Sequence, residues 1–469
     1  MYGSIEKLDS NVITTSLSSN NNNNNNNNSN DSKDSNGIKC KTIIIAIASM
    51  IIVGSIGIIA LTGTGSMSLS SGWYGTSIKS NIKSLSLSLP KTVSTSTNGN
   101  MIERIYYTDL SDSDKVTLFE EFLESNERDY ASDPSSEEYS TRYENFIASL
   151  DRADDRNQAE ELLGGEAIHG ITKFSDYSND EFLEYFLMTE YEGATIQEAQ
   201  GGGLTPVRTK YRHLSEKEIE EVKNRNKKNR KVQEDVTATF VDWTDKYTTP
   251  VYDQGSNCRG ASWAFSAIEQ VESDSIRKGV MSSDETLSVQ ELLACVRNST
   301  GCYSGSVEAA YDYMTKPGAI HYAEDFEYNV ESTNEIGECT VASSGYALAL
   351  GSSATVTKYH NELDGYTTDQ VESNMLAHIA ATGTLHACLD ASTWSTYQSG
   401  TMYQCIGTTI NHCVQVTGVN YDPVTNSGYY KVRNSWGSDF GESGYIRLAH
   451  GLNTCDITYN PGYTDPVDI

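Results

Sequence analysis

Eight of the nine cysteines fall between Cys258 and Cys455, and the ninth, Cys40, stands alone near the start. That clustering is the tightest constraint on the fold, because disulfide frameworks persist in oxidising compartments. The C-terminal half is therefore expected to be a cross-linked lumenal or extracellular domain. Spacing alone leaves the connectivity open, and the odd count leaves at least one sulfur over.

The rest of the chain fits that placement. Asn20 to Asn30 is almost pure Asn, with Ser-rich flanks, and lacks the apolar surface needed to offset the entropy of ordering. Thr42 to Thr62 then runs 21 residues without a charge, the length of a helix that crosses a bilayer. Lys39 and Lys41 precede it and the next Lys is Lys79, so the positive-inside bias puts the tail in the cytosol. A buried core helix is the competing reading of the run. Cys40 is then either an inert thiol or a palmitoylation site at the cytosolic boundary. The expected layout is a type II membrane protein: a tail over 1–41, a signal anchor over 42–62 and a Ser/Thr-rich stalk over 63–105.

Beyond the stalk, Val116, Phe119, Phe122 and Leu123, then Tyr139, Tyr143, Phe146 and Leu150, recur at helical spacing on a charged background. These are amphipathic helices in need of a partner surface. A Gly cluster at 201–203 and the basic run Lys223 to Lys231 read as an exposed, cleavable linker. From Val232 onward the texture changes to strand-like patterns and Gly-rich turns.

Formal net charge is -30, and from Val232 onward 30 acidic residues face 10 basic ones. Nucleic-acid binding is excluded as a leading function, because phosphate neutralisation needs clustered Lys and Arg. The acidity suits an acidic compartment or basic partners. The eight His are scattered without ligand spacing, so neither a metal nor a cofactor is expected.

Chemistry concentrates in DQGSNCRGASWAFSAIE (Asp253 to Glu269), INHCVQVTGV (Ile410 to Val419) and VRNSWGSDFGESGYIRL (Val432 to Leu448). A helix opening at Ser262 places a nucleophile at the positive end of the helix dipole. His412 is the candidate base, Asn434 its orienter, Gln254 an oxyanion donor and Trp436 a shield against water. Each residue alone is more often structural than catalytic. The ordered set is what carries the reading.

These segments resemble the papain family of cysteine peptidases from about Phe240 to the C-terminus. Upstream, Glu138, Arg142, Phe146, Ser149, Ala153 and Asn157 fall at the spacing of the family's propeptide helix. Gly170, Thr172, Phe174 and Asp176 match the motif after it. The resemblance implies an α+β fold of two lobes, a helical left lobe and a β-sheet right lobe, at 232–469. It also implies an inhibitory propeptide at 106–231, and the membrane-anchored layout looks like falcipain-type members. The reaction implied is peptide-bond hydrolysis through an acyl-enzyme, with a peptide or protein substrate and the chain's own propeptide as partners. The family pairing would join Cys258 with Cys302, Cys295 with Cys339 and Cys405 with Cys455, leaving Cys388 and Cys413 unpaired. Asn298 opens a glycosylation sequon, and Ser304 and Gly305 stand where the family's Gly-Gly pair lines the substrate cleft.

The chain departs from the family at the nucleophile, where Ser262 replaces Cys. A His-paired papain thiol is already ionised, with a pKa of about 3–4. A hydroxyl must instead lose its proton to His412 during attack, and the imidazolium formed is best stabilised by a carboxylate where this chain has Asn434. Two further residues separate Gln254 from Ser262 than in the family, which threatens the oxyanion donor's placement. Two readings follow: a serine-type peptidase, or a silent relative that binds peptides, regulates a paralogue or serves at a surface.

Overall fold

The computed structural model describes residues 90–97, 100–189, 239–297, 299–315, 320–340, 346–355, 367–405, 409–425 and 427–467. The tail, the Thr42 to Thr62 run, Cys40, the linker and Asn298 lie outside these residues. All described residues belong to one compact unit, Ser84–Ile469. Among them, no helix is long and apolar enough to cross a membrane, and no cluster of metal-ligating side chains occurs.

The stalk expected over 63–105 ends earlier. Strands β1 (Lys91–Thr97) and β2 (Asn100–Tyr106) form an antiparallel hairpin with Lys91 opposite Tyr106. The sequence signals it locally, with β-branched residues and an Asn98-Gly99 dipeptide suited to a tight turn. The fully buried Arg104 ties the hairpin down by donating to the carbonyls of Ala167 and Gly165 at 3.0 and 2.7 Å.

Helix α1 (Asp112–Ser125) starts at a capping box in which Ser111 and Asp114 satisfy each other's backbone. Helix α2 (Glu137–Leu163) is N-capped by Ser136 and stops at Gly164, whose φ of 74° suits glycine. The stripes read from the sequence meet here: Phe119 packs on Phe122, Tyr139, Tyr143 and Phe146 at ring separations of 5.2–6.1 Å. Strand β3 (Ile168–His169) and helix α3 (Asn179–Phe186) follow.

The domain after the linker opens with β4 (Thr239–Asp242), then α4 (Ser262–Lys278), α5 (Val289–Cys295), α6 (Val307–Met314), β5 (Ile320–His321), α7 (Val330–Thr333) and β6 (Tyr346–Thr355). Next come α8 (Thr368–Ala381), β7 (Leu385–Leu389), β8 (Tyr397–Ser399), β9 (Thr401–Met402), β10 (His412–Asp422), β11 (Ser427–Arg433), β12 (Tyr445–Ala449) and β13 (Gly462–Val467). One sheet runs β5-β6-β13-β7-β10-β11-β12-β9, with β4 added beside β10. All its pairings are antiparallel except β12 with β9.

Two apolar cores flank the site. One gathers around α4, with Trp263, Phe265, Ile268 and Val271 packed on α5 and α6; the other lies under β7, β10, β11 and β12. Between them a fully buried ion pair joins Glu269 of α4 to Arg433 of β11 at 3.3 Å. The helical and sheet lobes read from the sequence are thus present.

Three disulfides join Cys258 to Cys302, Cys295 to Cys339 and Cys405 to Cys455, as the resemblance implied. A fourth corrects the expectation that Cys388 and Cys413 stay unpaired. Antiparallel pairing of β7 with β10 sets Cys413 directly opposite Cys388, with Cα atoms 3.9 Å apart, so the two sulfurs share one face of the sheet.

Candidate active site

Ser262 is the first residue of α4, and His412 is the first residue of β10. Asn434 follows the end of β11, the strand paired with β10, which brings it beside His412 despite the intervening chain. His412 Nε2 lies 2.7 Å from Asn434 Oδ1. The same oxygen accepts the backbone N–H of Ser435 at 2.9 Å, so it is the acceptor and Nε2 carries the proton. The lone pair therefore sits on His412 Nδ1. That atom has no hydrogen-bond partner among the described residues.

Ser262 does not fill the gap. Its Oγ accepts the backbone N–H of Cys413 at 3.2 Å, the hydroxyl's one hydrogen bond among the described residues. Ser262, His412 and Asn434 are all fully buried. Burial pushes the imidazole down to about 4 against the opposing pull of the Asn434 hydrogen bond. His412 is thus neutral at pH 7, the form a general base needs. Trp436 covers it, with ring centroids 4.7 Å apart, and Trp394 closes a second side at 5.9 Å. Trp394, 18 positions before His412, carried no sequence signal for this role.

Gln254 stays beside the site despite the longer loop that follows it. Its Oε1 accepts from Ser435 Oγ at 2.9 Å, while Nε2 donates to the carbonyls of Arg259 at 2.9 Å and Phe186 at 3.3 Å. The extra length bulges outward and is pinned by Glu331 of α7, which accepts from Asn257 N at 3.0 Å. Cys258 is tied up in its disulfide and offers no thiol. On the other side, Ser304 and Gly305 follow the disulfide at Cys302. A Cβ at 305 would fall 2.3 Å from the Trp263 ring, so glycine is required there for packing.

The segment upstream of the linker lies over these groups. Phe174, Phe182 and Phe186 pack on Trp436 at 5.4, 5.5 and 6.3 Å. Beyond α3 the backbone enters the cleft, where Met188 N donates to Asn411 O at 2.8 Å and Thr189 N to Tyr303 O at 3.4 Å. It also docks away from the cleft. Strand β3 pairs with β8, Arg156 donates to Ser395 Oγ and Thr396 Oγ1 at 3.0 and 2.7 Å, and Glu160 accepts from the amides of Tyr403 and Gln404. Asp176 braces the loop between them, bound by Arg128 at 2.8 Å and Tyr130 at 2.7 Å.

Residues 237–464 match the family described as papain family cysteine protease, and residues 119–182 match the cathepsin propeptide inhibitor domain. Cysteine proteinase 2 of Leishmania pifanoi is 30% identical over 352 residues, spanning 74% of this chain and 68% of that one. The chain belongs to the papain family of cysteine peptidases. Cysteine proteinase of Theileria parva is 30% identical over 312 residues, 64% of this chain and 63% of its own length. Digestive procathepsin L 3 of Tenebrio molitor shares the fold, with a TM-score of 0.55 and 22% identity over 75% of this chain and 99% of that one. This papain-family member is a zymogen, with its propeptide upstream of the peptidase domain.

Proposed function

We propose that the mature domain binds extended peptides between Gly305 and Trp436 and hydrolyses them slowly by a serine-type acyl transfer. The observation that carries this is the fixed tautomer of His412, which leaves a neutral Nδ1 lone pair in the site with no partner among the described residues. Ser262 Oγ attacks the scissile carbonyl carbon, its proton passes to His412 Nδ1, and Gln254 Nε2 donates to the oxygen as charge develops. The C–N bond then breaks, the proton goes to the leaving amine, and water releases the acyl group by the reverse relay. Propeptide removal must come first, since the Phe186 carbonyl holds Gln254 Nε2.

Ser262 accepting from Cys413 N favours a second reading, a silent peptide-binding homologue, because the nucleophile is not paired with its base. Mass spectrometry of the chain cut in its linker, freed of its propeptide and treated with an activated peptide ester separates the two. An acyl adduct on Ser262, absent from Ser262→Ala, supports hydrolysis, and an unmodified Ser262 supports the silent reading.

The uncharged run Thr42 to Thr62, flanked by Lys39 and Lys41, supports placing this domain on the far side of a membrane from the tail. Release of the full chain from membranes by alkaline carbonate would overturn the anchor.

A further inference from the structure

Lys173 of the propeptide reaches the active-site rim rather than solvent. Its Nζ lies 2.7 Å from Asp439 Oδ1 and 3.8 Å from Asp253 Oδ2, and it donates to the Trp436 carbonyl. Asp253 directly precedes Gln254, and Asp439 follows Trp436 by three residues. The two carboxylates converge on Gly437, where a Cβ would lie 2.7 Å from the first and 2.8 Å from the second. Its φ of 80° lets the backbone turn between them. Two carboxylates and a carbonyl thus surround one ammonium beside Trp436, whose ring covers His412. In the peptide placement proposed above we set the acyl half along Gly305, so that the leaving half lies over Trp436, against this cradle.

We propose that Asp253 and Asp439 form a cation-selecting subsite for the leaving half of the substrate, which Lys173 fills in the zymogen. The substrate class is peptides with Lys or Arg shortly after the scissile bond. This inference rests on the peptide-binding reading above and deepens it. The two side chains are 55% and 64% exposed even with the propeptide in place, so the preference is modest and screened by salt.

The test uses the full chain cut once between Lys223 and Lys231, with both fragments retained and Ser262→Ala keeping peptides intact. Fluorescence anisotropy compares unstructured peptides identical except for Lys, Gln or Glu scanned along the sequence. The propeptide competes equally with each peptide, so affinity ratios report the subsite. Lys at one position should bind about fivefold tighter than Gln, with Glu weakest. In Asp253→Asn/Asp439→Asn, or at 1 M salt, the Lys-to-Gln ratio should fall below about twofold, while all peptides gain affinity together as the propeptide loses its Lys173 ion pairs. Equal binding of Lys and Gln peptides, or a preference that survives the double variant, overturns the subsite while leaving the peptide-binding reading intact. No binding by any peptide, even where added free peptide displaces the propeptide fragment, overturns both.

Discussion

The Ser262 hydroxyl takes its hydrogen bond from the Cys413 amide at 3.2 Å, while His412, one residue earlier on the same strand, gives its Nε2 proton to Asn434 at 2.7 Å. Nucleophile and base are therefore anchored to the same strand without being bonded to each other. An ionised thiol tolerates this, because its charge exists before substrate arrives. A hydroxyl does not, because it must hand over its proton during attack.

The pH dependence follows from His412. Burial holds its imidazole down to about 4, so it is neutral above that value, and the contribution of neutral burial to stability is lost as pH falls from about 6.5 through 4. Serine-type turnover should fall on the acid side, with a midpoint between those values once the propeptide leaves and water reaches the ring. Asn434→Ala removes the bond that raises the pKa, so the limb should move to lower pH while kcat drops. A kcat/KM profile over pH 3.5–8 checks both.

Propeptide docking should carry its own pH signature. His169 is fully buried, 3.0 Å from Thr396 Oγ1, and burial, then Arg156 and Arg104, hold it well below 6.5. Its contribution to docking is present above pH 6.5 and is lost as pH falls. Glu160 works in the opposite sense. Burial raises it to about 8 against the amides of Gln404 and Tyr403, so its contribution grows as pH falls from 8 to 4.5 and then stops. Between pH 6.5 and 4.5 the two effects oppose each other. His169→Gln should keep β3 and α3 protected at a lower pH than the parent chain, as read by hydrogen exchange.

The Cys388–Cys413 bridge closes 25 residues of chain beside the catalytic strand. Cys388→Ala/Cys413→Ala should lower stability by about 2–4 kcal/mol through the unfolded state, as measured by urea denaturation. Asn434 should keep its bond to His412, because β10 and β11 pair independently of the bridge.

The helix opening at Ser262, the His412–Asn434 pair and both propeptide helices were legible because each depends on local pattern or on ordered motifs. The pairing of Cys388 with Cys413 was not, since it depends on the register of β7 against β10, which no local signal fixes. The hairpin at Lys91 was hidden by composition: Ser and Thr read as stalk, although the β-branched residues and Asn98-Gly99 suit a hairpin. Lys173 passed unnoticed because one cation in a charged propeptide has no meaning until the fold sets Asp253 and Asp439 around it.

The central claim is that a competent papain scaffold is limited by Ser262. Cleavage of unstructured peptides at pH 7 by the linker-cut chain after its propeptide has been removed, compared across the parent, Ser262→Cys and Ser262→Ala, tests it most directly. The account predicts that Ser262→Cys exceeds the parent by about 10² or more, with the parent above Ser262→Ala. A Ser262→Cys variant no faster than the parent would contradict it, because the limit would then lie in the scaffold and not in the hydroxyl.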